Sequence, residues 1–194
     1  MDLNEERSVS EVQGNLISRR SVYLFSDDPV EQSRLETAFE AARYAPCHKH
    51  THPWRFYVMG QKTRLALIPE VERLTREKDS SAGPQLVEKA RNKILSPPEL
   101  IAVASLRSPG DAFREEEDYA ATVCAAHNLV LSLWDQGIGS QWSTGAITRS
   151  PVAYEALGIS GEEQRIIGFI KVGYPDEVPR RKKRPLEQIR TYLP

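Results

Sequence analysis

Apolar residues recur every three or four positions between about Arg114 and Gln136, which predicts the longest helix of the protein. Acidic residues at its start complement the positive end of the helix dipole, and Gly137 is placed to end the helix. The apolar positions cover much of the circumference, so we expect this helix to be buried in the core or in a subunit interface. The main stripe consists of Tyr119, Val123, Ala126, Val130 and Trp134.

Short apolar runs predict the strands. Residues 100–104 form a continuous apolar run, which is typical of a strand buried on both faces. The aromatic and β-branched segment 54–59, closed by Gly60, predicts a second strand. Weaker patterns predict two more strands at 138–142 and 165–173. The chain therefore contains enough strands for one central sheet.

Helices are predicted between these strands. One runs to about Arg20, and a second begins at Asp27-Asp28-Pro29, where a carboxylate caps the helix and proline takes its first position, and ends before Pro46. Residues 61–98 are charged and broken by prolines, which predicts two short surface helices. Another short helix is predicted at 150–157. The order of elements indicates a mixed α and β protein.

Composition narrows the class of protein. The 194 residues carry 26 Lys and Arg against 27 Asp and Glu, a net charge of −1, which argues against a nucleic-acid partner. No apolar run approaches the roughly 20 residues needed to span a bilayer, so no membrane partner is expected either. Two cysteines exclude a disulfide framework. Because the first twenty residues contain no apolar signal segment, we expect a cytoplasmic protein, and its length predicts one domain over residues 1–194.

The first candidate for chemistry is the segment Arg19-Arg20-Ser21. Two guanidinium groups and a hydroxyl can hold a phosphate, because their donors match phosphate oxygens. The alternative is a solvated charge pair at the end of a helix.

A second candidate is the loop from Cys47 to Pro53, in which His48, His50 and His52 alternate. In an extended loop the three imidazoles would point to one side, which permits a metal site. The loop can equally supply hydrogen-bond donors to a polar ligand, or be a merely polar connection. Cys47 beside His48 also permits a nucleophile.

Two further segments are weaker signals. The glycine-containing turn 137–145 allows close approach of the backbone to a ligand, but it follows a helix and lacks the lysine of a phosphate loop. It can be an ordinary turn that ends a helix. The basic run 180–184 is either a solvated surface or additional charge for a phosphate.

Taken in order, these segments resemble the nitroreductase family of flavin enzymes over nearly the whole chain. The family motifs are an Arg-Arg-Ser end of a helix, an alanine-rich helix closing on Ala-Pro, a Pro-Trp before an aromatic strand, a long helix, a Gly-x-Gly turn, Trp-x-x-Gly, and basic residues before Pro-Leu. In this sequence they stand at 19–22, 41–46, 53–56, 125–129, 137–139, 142–145 and 182–186. In its short length the chain resembles the compact bacterial subgroup of NAD(P)H nitroreductases.

The resemblance implies an α+β nitroreductase-like fold, with a central, mostly antiparallel β-sheet flanked by helices, and a homodimer with FMN at its interface. It implies that hydride passes from NAD(P)H through the flavin to a nitroaromatic, a quinone or a similar small electrophile by a ping-pong mechanism. The flavin carries that chemistry, so no catalytic acid or base residue is assigned and no metal is expected.

The resemblance also assigns phosphate-binding residues. Arg19, Arg20 and Ser21 would hold the FMN phosphate and ribityl chain. Lys182 and Arg184 match the cations of the tail that reach the phosphate in larger members of the family.

The ring-binding residues come from two other segments. Tyr44 and His48 would sit at the flavin, with His48 of the partner subunit completing the site. Trp142, Ser143 and Thr144 would lie beside the isoalloxazine ring and its polar edge.

The sequence departs from the family pattern in the histidine loop. Cys47 stands where the family commonly has serine, His50 where it has asparagine, and His52 where it has glutamine; Tyr23 replaces a frequent third arginine. Three alternatives stay open: another FMN reaction such as reductive dehalogenation or flavin-consuming chemistry, a non-enzymatic flavin-binding dimer, and a metal protein built on the histidine loop.

Overall fold

A computed structural model of the chain describes residues 9–194. Within them lie six α-helices, four β-strands and three short 3-10 turns. In chain order the helices and strands are α1 (Val9–Ser18), α2 (Gln32–Arg43), β1 (Trp54–Val58), α3 (Gln61–Lys78), α4 (Pro84–Leu95), β2 (Glu99–Leu106), α5 (Ala112–Asp135), β3 (Gly139–Ser143), α6 (Pro151–Leu157) and β4 (Gln164–Gly173).

The four strands form one sheet in the order β1-β2-β4-β3, and each neighbouring pair is antiparallel. β3 is short and pairs only with residues 169–173 of β4, so the first half of β4 has no strand on that side. Ser21 adds one isolated parallel bridge to Ser140 at the outer edge of β3. The predicted antiparallel sheet flanked by helices is confirmed.

The sheet separates two apolar cores. Ile101 and Val103 on β2 face the core that contains α2 and α5, whereas Leu100 and Ala102 face the core that contains α3 and α6. All four side chains are fully buried, which confirms the prediction of a strand covered on both faces. Burial of each large aliphatic side chain contributes about 1.5–3 kcal/mol, so β2 is the centre of the fold.

Helix α5 confirms the longest predicted helix but not its predicted main stripe, because its buried face also includes Ala121, Ala125, Leu129 and Leu133, whereas Tyr119 is exposed. The helix begins at Ala112, two residues before the predicted start, where the Asp111 carboxylate accepts a hydrogen bond of 2.9 Å from the Arg114 backbone N–H. Gly137 follows the helix with a φ of +76°, the left-handed conformation that glycine adopts without steric cost. Neither α5 nor any other helix within residues 9–194 combines the length and apolarity needed to cross a membrane.

The predicted start of α2 at Asp28-Pro29 is wrong. The helix begins at Gln32, and the Ser26 hydroxyl instead donates to the Asp28 carboxylate at 3.0 Å. Short polar side chains often form such local bonds in place of a helix cap, and this one holds residues 26–28 in a bend before the helix begins.

The predicted pair of short surface helices over 61–98 is also wrong in part. α3 is a single helix of 18 residues that continues through Pro69. Proline removes one helical hydrogen bond, but Leu67, Ile68 and Val71 are buried against the sheet. Burial of that apolar face offsets the cost of the proline, so tertiary packing extends the helix.

Candidate functional site

The Arg19-Arg20-Ser21 segment lies along the outer edge of β3. The Val22 backbone N–H donates to the Ser140 carbonyl at 2.9 Å. A Cβ atom on Gly139 would stand 2.7 Å from Val22 Cγ2, so glycine is required for this close approach. Gly139 therefore joins the candidate phosphate segment to the strand that carries the other candidate residues.

The two arginines of this segment have different surroundings. Arg20 Nη1 donates to the carbonyl oxygens of Ile17 and Arg19 at 2.6 and 2.8 Å, so its side chain is held against the end of α1. Arg19 is half-buried, and within residues 9–194 no carboxylate forms an ion pair with it. Burial, together with the charge of Arg19, lowers the pKa of His127 on α5. Neither arginine forms an ion pair with a carboxylate of residues 9–194, but only the Arg20 side chain is held by backbone carbonyls, so the Arg19 side chain is the one free to turn to a ligand.

The second half of β3 presents side chains to both faces of the sheet. Trp142 packs against the α5 core, and its Nε1 is buried with no hydrogen-bond partner among residues 9–194. Its indole lies so close to Gly168 that a Cβ there would overlap it. Ser143 Oγ donates to the Phe169 carbonyl at 3.1 Å, while Thr144 is exposed.

A cavity of about 750 Å³ opens beside Ser143 and Thr144, between β3, β4 and the helices α3 and α4. Its apolar wall includes Phe169 and Ile94. A pocket of this size is within the range that holds drug-sized ligands. We refer to it as the main cavity.

Lys171 on β4 lines the main cavity and was missed by sequence reasoning. The residue is 7% exposed, and its Nζ donates to the Gln141 Oε1 at 2.8 Å. Burial, reinforced by the positive charge of Lys93 on α4, lowers the pKa of Lys171 to about 8. Within the described chain no carboxylate forms an ion pair with either lysine. The one sequence feature that could have pointed to Lys171 is a charged residue inside the apolar run of β4. The alternation of apolar and polar residues does not by itself show that such a residue is buried.

His48 lies at the beginning of the long helix α5, whereas Tyr44 follows the end of α2, whose Ala41 carbonyl accepts a hydrogen bond from Asn128 in the second half of α5. Tyr44 is 69% exposed. His48 Nδ1 lies 2.5 Å from the Glu117 carboxylate in the first part of α5. Thr51 Oγ1 donates to Asp118 at 2.6 Å and ties the loop to the same turn of the helix.

The histidine loop has an unusual backbone. Lys49, His50 and His52 all have positive φ values, between 44° and 53°. Residues other than glycine rarely adopt this backbone conformation, and such strain is concentrated at functional sites. Within residues 9–194, no three His, Cys, Asp or Glu side chains are arranged to hold a metal ion. His48 turns to Glu117, and His52 packs edge-on against Trp54.

The candidate residues fall into two groups within one chain. The Asn15 side chain donates to the Leu131 carbonyl, and Trp134 donates to Ser18, so the Arg19 segment lies near the end of α5. The contact between His48 and Glu117 lies 10 residues before His127, which feels the charge of Arg19, and 14 residues before Leu131, so it is about 15–21 Å away along the helix. A single chain therefore keeps His48 away from the Arg19 segment, and no hydrogen bond or ion pair among residues 9–194 joins Tyr44 to that segment.

The remaining candidates lie in the tail. Lys182 and Arg184 are exposed in a segment without regular structure, and neither has a hydrogen bond or ion pair with another described residue. The structure of one chain does not bring them to the Arg19 segment by any such contact.

Comparison with known proteins places this geometry in a family. Residues 16–174 match the model of the Nitroreductase family. "Putative NAD(P)H nitroreductase YfhC" of Bacillus subtilis is 32% identical over 168 residues, 86% of each chain. "Putative NAD(P)H nitroreductase YdjA" of Escherichia coli is 30% identical over 82% of this chain and 86% of that protein.

Solved structures of similar fold support the same family. The nitroreductase-like family protein from Bacillus cereus superposes with a TM-score of 0.80 at 30% identity, over 94% of this chain and 95% of that one. An iodotyrosine deiodinase bound to FMN and 3-iodo-L-tyrosine shares the fold, with a TM-score of 0.72 at 21% identity over 90% and 95% of the two chains. With the family motifs in order along one antiparallel sheet, this chain belongs to the nitroreductase family.

Proposed function

We propose that this protein is an FMN-dependent oxidoreductase that passes hydride from NAD(P)H to a nitroaromatic, a quinone or a similar small electrophile. The names of the Bacillus subtilis and Escherichia coli relatives support the electron donor and the reaction class. Structures of more distant members in complex with FMN support the cofactor. The observation in this chain that carries the proposal is the main cavity beside β3, with buried Lys171 in its wall.

The main cavity fits a flavin ring by chemistry as well as by size. Its apolar wall suits the flat aromatic face, and the hydroxyls of Ser143 and Thr144 suit the polar edge. A buried ammonium group with no carboxylate in an ion pair is costly, and a ligand edge that carries or gains negative charge offsets that cost. Lys171 and Lys93 are therefore expected to face such an edge.

When bound, FMN accepts a hydride and passes electrons to a second molecule. The chain's own residues bind and orient it. Arg19 would hold the phosphate, with Ser21 donating to the phosphate or the ribityl chain, and Arg20 would keep the segment in place through its bonds to the end of α1. Lys182 and Arg184 would add positive charge from the tail. Trp142 would position the part of β3 that lies beside the flavin ring.

The separation of His48 from the Arg19 segment supports a homodimer. In an isologous dimer the same surface meets itself, and where the two-fold axis is perpendicular to a helix at the interface, the opposite ends of that helix lie against each other. Such a dimer across α5 would bring Tyr44 and His48 of the partner subunit to the Arg19 segment. Leu16 and Ile17 on α1, beside α5, are 45% and 62% exposed in one chain and would be covered.

The contact between His48 and Glu117 has a role in that arrangement. The carboxylate bonds to Nδ1 and fixes the orientation of the imidazole. Nε2 is then directed to a fixed position as a donor or acceptor. The strained loop holds this position without any help from a ligand.

The direct test is an absorbance spectrum of the purified protein, followed by anaerobic addition of NADPH. We expect a flavin spectrum close to one FMN per chain that bleaches on addition. A protein that takes up no FMN would overturn the proposal. A flavin that NADPH does not bleach would instead identify a non-enzymatic flavin-binding dimer, and turnover of a halogenated aromatic alone would identify reductive dehalogenation.

The two arginines provide a matched pair of variants. Arg19→Gln is expected to raise the Kd of FMN about 10- to 100-fold, the effect of losing a hydrogen bond to a charged group. Arg20→Gln is expected to raise it only about threefold, because the Arg20 side chain is already bonded to backbone carbonyls. Flavin fluorescence titration measures both values. Equal affinities in wild type and Arg19→Gln would contradict the assigned phosphate site.

A further inference from the structure

A second cavity lies where β3 leaves β4 without a neighbouring strand. β3 pairs with β4 only from Phe169 onwards. Beside the first half of β4, the turn after β3 and the first part of α5 enclose a space of about 360 Å³. The Tyr154 hydroxyl accepts a hydrogen bond from the Ile166 backbone N–H and closes one side. This is at the small end of ligand pockets, which run from about 300 to 1,000 Å³.

Three arginines and no carboxylate line this cavity: Arg107, Arg149 and Arg165. We call it the arginine pocket. Arg107 approaches Glu115 at 3.6 Å, which neutralises one charge in part. Within residues 9–194, no carboxylate forms an ion pair with Arg149 or Arg165. The pocket therefore carries a net positive charge.

One of the arginines, exposed Arg165, stacks on an aromatic ring. The Arg165 guanidinium lies 5.1 Å from the centre of the Tyr119 ring. Stacking of this kind holds the planar group while leaving its edge available to donate. Guanidinium groups match the oxygens of phosphate and carboxylate, often with two hydrogen bonds at once. The pocket thus has the chemistry of an anion site.

The arginine pocket adjoins the main cavity. Thr144 and Thr148 line both spaces, so they form a shared wall. A molecule that reacts beside Thr144 can extend past this wall into the arginine pocket. An anionic group placed there would fix the orientation of the reacting molecule.

We propose that the arginine pocket binds the phosphate or carboxylate group of a molecule that reacts in the main cavity. The statement about the reacting molecule rests on the proposed function, whereas anion binding by the pocket does not. Two sources share this chemistry. The hydride donor would supply it as the 2′-phosphate that distinguishes NADPH from NADH, and the acceptor would supply it as a carboxylate on the aromatic ring.

The test uses the flavin-loaded protein with Arg149→Gln and Arg165→Gln combined. Arg76→Gln combined with Arg190→Gln is the control, since both side chains are exposed, line neither cavity and lie outside the basic run 180–184. Three quantities are measured. They are the Kd of inorganic phosphate by calorimetry, the ratio of kcat/KM for NADPH to that for NADH, and the ratio of kcat/KM for 4-nitrobenzoate to that for 4-nitrobenzyl alcohol. Arg149→Gln alone repeats the measurements if the double variant does not fold.

We expect the pocket variant to bind phosphate at least tenfold more weakly than wild type and the control to be unchanged. A tenfold fall in the NADPH ratio would assign the pocket to the donor, and the same fall in the nitrobenzoate ratio would assign it to the acceptor. Unchanged phosphate binding would overturn the anion site. Weakened phosphate binding with both ratios unchanged would overturn its role toward the reacting molecule. A protein that binds phosphate in this pocket but takes up no FMN would retain the anion site and overturn only the proposed function.

Discussion

Replacing Gly168 by alanine is expected to lower the free energy of unfolding by about 3 kcal/mol, the upper part of the usual range for overpacking a core. The new Cβ would overlap Trp142 Nε1 and stand 2.6 Å from its Cδ1. It would also come within 3.1 Å of the Ser143 carbonyl oxygen, which belongs to the backbone and cannot turn away. The indole and the edge strand β3 must therefore move together.

The same change is expected to weaken FMN binding, because Ser143 and Thr144 follow Trp142 directly and line the main cavity. Urea denaturation measures the stability, and flavin titration measures the affinity. Gly14→Ala is the control, since an added Cβ there meets nothing within 4 Å and alanine favours the helix by about 0.5–1 kcal/mol.

A double variant checks the physical cause. If the clash with the indole is responsible, Gly168→Ala should cost much less when Trp142 is already alanine, because the two residues are in contact. Equal costs in both backgrounds, or a Gly168→Ala protein as stable as wild type, would contradict this account of the contact.

Replacing Lys171 by methionine is expected to stabilise the flavin-free protein at pH 7. Burial lowers the pKa of Lys171 from 10.5 to about 8, so the charged lysine is unfavourable at pH 7, and we expect methionine to stabilise the protein by about 2 kcal/mol. Methionine fills the space of the lysine chain, and half-exposed Gln141 can bond to water in place of the ammonium group.

The pH dependence of the free energy of unfolding independently tests whether the charged form of Lys171 is destabilising. Because the folded pKa of Lys171 is lowered from 10.5 to about 8, the unfolded chain binds more protons between these values. Stability of the wild type therefore rises with pH across this window, and the advantage of Lys171→Met is expected to disappear by about pH 10.5. Urea denaturation at pH 7 and pH 10 compares the two proteins.

Lys93→Met is the matched control, since Lys93 lines the same cavity but is exposed. Its difference from wild type should change little with pH. Added FMN should stabilise the wild type more than Lys171→Met, because bound ligand would offset the buried charge. A Lys171→Met protein that is less stable than wild type at pH 7 without flavin would contradict the expected cost of this lysine.

Local sequence signals predicted several elements well. The apolar stripe and Gly137 located α5 to within two residues of its start, and the uninterrupted run in β2 predicted burial on both faces. The start of α2 and the length of α3 could not be predicted in the same way. A bond between Ser26 and Asp28 displaced the helix start, and burial of Leu67, Ile68 and Val71 carried α3 through a proline.

The candidate site shows a similar division. Short motifs predicted Arg19, Ser21 and the 142–144 segment as candidates, because contacts to a phosphate and a ring need particular residue types in a local order, and these assignments stay predictions. The different surroundings of Arg19 and Arg20 depend on where the end of α1 lies. Lys171 carries no local signal, since its burial comes from helices far away in the chain.

By itself, the sequence determined the family, the order of the helices and strands, and the residue types available to a phosphate and a flavin ring, because these are encoded by composition and spacing over a few residues. Only the tertiary structure decided that Lys171 is a buried cation, that three arginines meet beside β4, and that His48 lies about 15–21 Å along α5 from the Arg19 segment. The physical reason is that burial, convergence of charge and separation are set by contacts between residues distant in the chain.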